Sequence, residues 1–260
     1  MGNCNVKETD GTSGSGNDDS DLDAKKFVDY SRPGINDRFP NIAGTTQDSD
    51  DFDLYDYVGD SWCLLFMHPG DFTPVCTTEL GAIAMRESEF SERGVKLVGF
   101  SCNDAESHRH WIKDIKAATR ATVSFPLFCD PDRSNATWLG IIDKKNRNDE
   151  GLPLTVRSVY FIDPSKTIRF VIAYPASTGR NITEIIRAID SVQIGEKHSI
   201  ATPVDWEKGD KVMVNANMTD LEAEEKFGKK KIEVIKVPSE RNEDGLQKHY
   251  MRYVNDPSMN

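Results

Sequence analysis

Apolar residues along this chain come in short blocks separated by polar stretches. The run SWCLLFMH at 61–68 is continuous and brief, the pattern of a central strand buried on both faces. After it, VCTTELGAIAMRESEF sets Leu80, Ile83, Ala84, Glu87 and Phe90 at mixed helical spacing, with Gly94 as the stop signal. VKLVGFSC predicts a second buried strand and FPLFCD a third. Between them, ESHRHWIKDIKAAT places Trp111, Ile115 and Ala118 on one face of a helix. RSVYFID and TIRFVIAY are two more strands, joined by the turn DPSKT at hairpin length. NITEIIRAIDSV opens with Asn181 as N-cap and Glu184 three residues on, which predicts a helix with a capping box.

Alternating strands and helices, then a hairpin and a last helix, make an α/β layout with a mixed sheet. This is the order of a thioredoxin-like fold with insertions. The alternation stops near Gly195. Beyond it, TDLEAEEKFG is a capped helix, and KKKIEVIKV and KHYMRYV read as strands. Three segments follow. Residues 1–26 form a leader, almost wholly Asp, Asn, Gly, Ser, Thr and Glu over 8–24. It buries too little apolar area to offset its ordering entropy and is expected to be disordered. Residues 27–195 form the main domain, whose order begins near Phe27 or Ile35. Residues 196–260 form a small α+β module with too little apolar content to stand alone. That module is expected to pack on the main domain, on a partner subunit at a dimer interface, or on both.

Charge acts here by exclusion. The balance of 32 basic against 43 acidic residues gives a formal −11. Nucleic-acid binding needs clustered Lys and Arg, and so does an electrostatic hold on a membrane. The acidity is read as a solubility device. No apolar run is long enough to span a bilayer. The start, MGNCNVKETDG, lacks the apolar core of a secretory signal. A cytoplasmic setting is therefore expected, and the glycosylation patterns at Asn135, Asn181 and Asn217 are read as chance matches.

The five cysteines, Cys4, Cys63, Cys76, Cys102 and Cys129, are irregularly spaced and form no C-x-x-C. A disulfide framework or a zinc site would show regular spacing. His108, His110, His198 and His249 make no ligand pattern with acids or cysteines in the sequence, so neither metal nor cofactor is expected. The chemistry concentrates in HPGDFTPVC, from His68 to Cys76. Cys76 falls in the first turn of a predicted helix, where unpaired N–H groups and the dipole favour thiolate over thiol. Pro74 suits that turn because no N–H is needed there, and it is placed to cover one side of the sulfur. Thr73 offers a hydroxyl able to donate to, and accept from, a substrate oxygen.

HPGDFTPVCTTEL resembles the active-site signature of the peroxiredoxins, in which P-x-x-x-T-x-x-C reads as Pro69, Thr73 and Cys76. The histidine before the proline and the T-T-E-L after the cysteine are similar to the one-cysteine, type-six subfamily. The resemblance continues through GDSW, TVRSVYFID, YPASTGRN and ATPVDWEKGDKVMV, from about 30 to 255. It implies a thiol peroxidase on a thioredoxin-like fold, and a homodimer. Carried onto this chain, it implies that Cys76 attacks a peroxide oxygen and becomes a sulfenic acid. Arg157 would lie beside the sulfur, favour the thiolate and bond the oxygen under attack. Arg180 would be a second arginine holding the site. Glu79, a first-turn acid one turn past Cys76, would fix an arginine, and His68 would orient or tune the site. No cysteine follows Cys129, so an outside thiol or other small reductant must restore Cys76.

Two other function classes use the same chain. A peroxide sensor would pass the oxidation of Cys76 to a partner protein. A lipid hydrolase, an activity credited to some type-six relatives, would need a serine motif that is incomplete here. Ser61 stands in GDSWC, Tyr55 occupies the place of the base histidine, and Asp163 lies two residues from the aspartate position, which aligns with Ser165. Ser61 is therefore expected to be a turn residue. Finally, Gly2 and Cys4 in MGNC match acylation requirements, although Val6 stands where Ser or Thr is preferred. They predict a membrane-tethered fraction.

Overall fold

The structure, a computed structural model, describes residues 32–237 and 249–259. The leader, with Gly2 and Cys4, and Phe27 lie outside the described residues. A short ribbon, β1 (Ala43–Gly44) and β2 (Phe52–Asp53), leads into α1 (Leu54–Val58) and β3 (Trp62–Met67). Then come α2 (Pro74–Met85), α3 (Glu87–Ser91), β4 (Val95–Ser101), α4 (Ala105–Thr119), β5 (Leu127–Cys129) and α5 (Ser134–Trp138). A hairpin of β6 (Ile142–Arg147) and β7 (Pro153–Thr155) precedes β8 (Arg157–Ile162), β9 (Ile168–Tyr174) and α6 (Ile182–His198). The chain continues with β10 (Ile200–Ala201), β11 (Val212–Val214), α7 (Asp220–Phe227), β12 (Glu233–Val234) and β13 (Arg252–Val254).

The central sheet has the order β5-β4-β3-β8-β9. β3, β4 and β5 are parallel, while β8 runs antiparallel to β3 and β9 to β8. The sheet is therefore mixed, as the thioredoxin-like order requires. Side chains alternate between its two faces. Leu64 and Phe66 of β3 pack with Leu80, Trp111 and Ile185 from α2, α4 and α6. Cys63, Leu65 and Met67 pack on the other face with Leu54 and Ala136 from α1 and α5. The stripe Ile182, Ile185, Ile186 and Ile189 seats α6, a spacing of three and four residues on one helical face.

Several local expectations change. The helix after Cys76 does not run unbroken to Gly94. It breaks at Arg86, whose ψ of 14° leaves the helical region, and α3 restarts beyond it. Ala118 is exposed, and the buried stripe of α4 is His108, Trp111 and Ile115. Asn181 does accept from the Glu184 amide, but the Glu184 carboxylate turns to Arg187 and leaves the capping box half formed. The full box is at α7, where Thr219 and Glu222 cap each other.

The C-terminal strands form their own antiparallel sheet, β10-β11-β13-β12. Its core gathers Trp206, Val212, Val214, Ala223 and Val254 around Ile194, a residue of α6. One helix thus serves both sheets, and the described residues make one compact unit.

Helices α2 and α4 meet closely at Gly81. A Cβ there would stand 2.5 Å from Thr119 Cγ2. Gly81→Ala is predicted to destabilise the fold by about 1–3 kcal/mol through overpacking. A urea midpoint equal to the parent's would show that the two helices separate freely.

Candidate active site

Parallel strands β3 and β4 end on the same edge of the sheet. The register of β8 against β3, with Cys63 opposite Ile162 and Phe66 opposite Val159, brings Arg157 level with that end. The loop 68–73 turns from β3 into α2. Its turn uses Phe72 in the left-handed region at φ 55°, with the ring 55% exposed. Thr73 is the extended residue before the helix, but its hydroxyl does not cap it. That hydroxyl donates instead to Gly70 O at 2.9 Å. Its one proton is thereby spent, so Thr73 can act only as an acceptor toward another oxygen. Pro69 is buried behind the loop, and Pro74 is exposed as the first residue of α2.

Cys76 is fully buried in the first turn. Arg157 Nη1 approaches its Sγ to 3.2 Å and donates to Glu79 Oε2 at 2.7 Å. The other nitrogens of Arg157 are held by Ala176 O, at 2.9 Å from Nε and 2.7 Å from Nη2. Glu79 is the sixth residue of α2, in its second turn, and not a first-turn acid. Arg180 meets this carboxylate three times, through its amide at 2.7 Å, Nε at 3.0 Å and Nη2 at 2.7 Å. Arg180 Nη1 continues to Met67 O at 2.9 Å, the last residue of β3. Burial alone would raise the Glu79 carboxyl, but the charge and hydrogen bonds of Arg180, and then the charge of Arg157, hold it below the usual carboxylate range. Two guanidiniums and one carboxylate leave one buried positive charge beside Sγ.

His68 follows β3 directly and is fully buried. Its Nε2 lies 2.9 Å from Asp71 Oδ1, and His108 Nδ1 lies 2.8 Å from Asp71 Oδ2. Ser107 donates to the same Oδ2 at 2.7 Å. This gathering of His108 with an acid corrects the sequence expectation. His68, Asp71 and His108 have ligand-type atoms within 4.8 Å of one another. The separations of 2.8 and 2.9 Å are those of hydrogen bonds, and both carboxylate oxygens are already engaged. The signal for His108 was available. Its three-residue step to Trp111 puts both on one helical face.

The other cysteines take no part. Cys63 and Cys102 belong to the core on the opposite face of the sheet from Cys76. Cys129 is buried, and β5 is separated from β8 by two strands. Burial pushes each of these three thiols up to about 12. Ser61 stands in the turn before β3, its amide bonded to Val58 O. Tyr55 is committed elsewhere, donating to Phe39 O at 2.5 Å and accepting from Arg38 at 3.1 Å. Asp163 is held by Ser165, the Thr167 amide and Arg169 within its own hairpin.

A family model described as the AhpC/TSA family matches residues 35–171, and one described as the C-terminal domain of 1-Cys peroxiredoxin matches 191–230. The chain is 42% identical over 236 residues to a 1-Cys peroxiredoxin of Dirofilaria immitis, covering 86% of this chain and 97% of that one. Among solved structures, a cysteine-to-serine mutant of the peroxiredoxin 6 of Arenicola marina superposes with a TM-score of 0.79 at 39% identity, covering 86% of this chain and 98% of that one. A yeast mitochondrial 1-Cys peroxiredoxin, described by thiol resolution through glutathione and thioredoxin systems, gives 0.75 at 41% identity, covering 85% and 98%.

Glu79→Gln removes the carboxylate between two buried guanidiniums and is predicted to cost about 3–5 kcal/mol. The Glu79 carboxyl ionises more readily folded than unfolded. Its stabilisation is therefore complete above the ordinary carboxylate range and is lost as pH falls through the depressed folded value. Urea unfolding at pH 7 and pH 3 checks both statements, and the variant should lose less stability than the parent between those pH values.

Proposed function

We propose that Cys76 is the attacking sulfur of this chain, which belongs to the AhpC/TSA family and, within it, to the 1-Cys peroxiredoxins. The chain is a thiol peroxidase. One observation carries the assignment of Cys76: Arg157 Nη1 lies 3.2 Å from Sγ inside a cluster with surplus positive charge. In the reaction the thiolate supplies an electron pair to one oxygen of the peroxide. The S–O bond forms, the O–O bond breaks, and water or an alcohol departs once the leaving oxygen takes a proton. Arg157 bonds the oxygen under attack, and Thr73 accepts from the second hydroxyl when the substrate is hydrogen peroxide. Pro69 and Pro74 fix the loop, Glu79 and Arg180 hold Arg157, and His68 orients the site. The sulfur itself supplies the electrons, so no cofactor or metal is required.

The reductant in this reading is an outside thiol, because Cys63 and Cys102 face away and Cys129 lies across the sheet. Peroxide and thiol are the partners this family uses. The chain forms a homodimer in this reading, with the C-terminal module at the interface. Val204 at 87% exposure and Leu221 at 80% give that module an apolar surface to cover. Among the described residues no helix is long and apolar enough to cross a membrane. A cytoplasmic enzyme with a fraction tethered by acylated Gly2 and Cys4 is part of the same proposal. One acyl chain binds a bilayer only marginally, so both positions are needed.

Cys76→Ser is expected to abolish peroxide consumption, while Cys63→Ser, Cys102→Ser and Cys129→Ser keep the first oxidation. Arg157→Ala should slow that oxidation roughly 100-fold, the usual cost of losing one charge-stabilising donor. Stopped-flow mixing with hydrogen peroxide checks both, and a Cys76→Ser protein that turns over at the parental rate refutes the assignment. Mass spectrometry of the native N-terminus, with fractionation of Gly2→Ala, checks the tether. A free N-terminus with all protein soluble removes it.

A further inference from the structure

We infer that Asp71 and His108 are positioning residues that lock His68 in a single tautomer, with its proton on Nε2 and a bare lone pair on Nδ1. The inference rests on the reading of Cys76 as the attacking sulfur and deepens it. An ionised carboxylate is acceptor-only, so every nitrogen facing Asp71 must present an N–H. Burial alone would raise the Asp71 carboxyl, but hydrogen bonds from His108 and then His68 outweigh it and hold the group far below its usual range. Three side-chain donors converge on it, from His68 at 2.9 Å, His108 at 2.8 Å and Ser107 at 2.7 Å. The Asp71 amide is itself fixed by Asn103 Oδ1 at 3.1 Å. Asp71 thus cannot turn away from His68.

Burial depresses the His68 pKa and keeps the ring neutral, and the charges of His108 and Arg180 act in the same sense, against the pull of Asp71. A neutral imidazole carries one N–H, and His68 has given it to Asp71. Its other nitrogen, Nδ1, is buried and without a hydrogen-bond partner. The ring is clamped against Trp111 at 4.9 Å between centroids, and Trp111 Nε1 in turn donates to Thr77 Oγ1 at 3.0 Å in the first turn of α2. The same residues that fix the ring therefore tie it to the helix that carries Cys76.

A buried polar atom without a partner calls for an explanation, and in this inference the partner of Nδ1 arrives with the substrate. A hydroperoxide brings one such donor, the O–H on its terminal oxygen. In the inferred arrangement Nδ1 accepts that hydrogen bond and aims the terminal oxygen at Sγ. The thiolate attacks it, the S–O bond forms and the O–O bond breaks. The hydrogen stays on the transferred oxygen as the sulfenic acid, and the departing alkoxide takes a proton from water. The reverse tautomer would present an N–H to the same hydrogen and repel it.

Asp71→Asn keeps the size of the side chain but replaces one acceptor oxygen by an NH₂ donor. The amide oxygen stays on the side with two donors, His108 and Ser107, so the NH₂ faces His68, which must invert. Nitrogen-15 NMR of labelled protein reads the tautomer of His68, and stopped-flow oxidation reads the rate. The expected result is an Nε2–H signature in the parent, an Nδ1–H population in Asp71→Asn, and oxidation slower by about tenfold or more. A structural defect alone would not move the tautomer signal. If Asp71→Asn does not fold, the parent spectrum decides, since a proton on Nδ1 in the reduced parent overturns the inference by itself. Parental oxidation in an inverted Asp71→Asn protein overturns the inference while leaving Cys76 in place. Peroxide turnover in Cys76→Ser instead overturns the reading beneath it.

Discussion

The structure depends on one carboxylate that cannot be spared. Glu79 sits between two guanidiniums, buried against a core of aliphatic and aromatic side chains. Charges taken out of water are costly unless each is answered by an opposite charge and a full set of hydrogen bonds. Here the answering groups come from three distant parts of the chain: helix α2, the start of β8, and the loop before α6. Their mutual need draws these parts together and fixes where the sheet, the helix and the sulfur stand. The arithmetic of the cluster also leaves one positive charge over. That surplus stands directly against the sulfur of a fully enclosed cysteine.

Much of this was legible in the sequence because it is local. The apolar run of β3, the proline at the start of α2 and the threonine before it announce a strand that turns into a helix at Cys76. Arg157 and Arg180 were named through resemblance, and only folding shows that both meet Glu79, from 78 and 101 positions away. His108 was missed because a histidine among charged residues reads as solvated, and because Ala118 offered an apolar alternative for the same helical face. The β6–β7 hairpin escaped notice because IDKKNRNDEG has neither a helical nor an alternating apolar pattern. The break at Arg86 was hidden by the mixed spacing of the residues around it.

The four described cysteines show how little the residue type decides. Alternation along β3 sends Cys63 to one face of the sheet while α2 packs on the other. Cys102 shares the face of Cys63, and Cys129 is closed over at an edge strand. Each has a thiol that burial keeps protonated. Cys76 is as deeply covered as any of them, so solvent access is not what distinguishes it. The distinction is a guanidinium within reach and a helix start beneath. The contrast with Ser61 is similar. A nucleophile without a prepared neighbour is a turn residue, whatever motif surrounds it.

The placement of Glu79 in the second turn of α2 has a mechanical consequence. A helix end frays from its first turn, and that turn holds Thr73, Pro74 and Cys76 while Glu79 lies beyond it. A fraying of those residues would carry the sulfur outward and leave the carboxylate with both arginines, Arg180 held to β3 through Met67 O and Arg157 to the loop after β9 through Ala176 O. The molecule is therefore divided into a removable pin and a permanent socket. If Cys76 is the sulfur that is oxidised, as proposed, such fraying lets it meet a thiol too bulky to enter, and the socket stays assembled for its return.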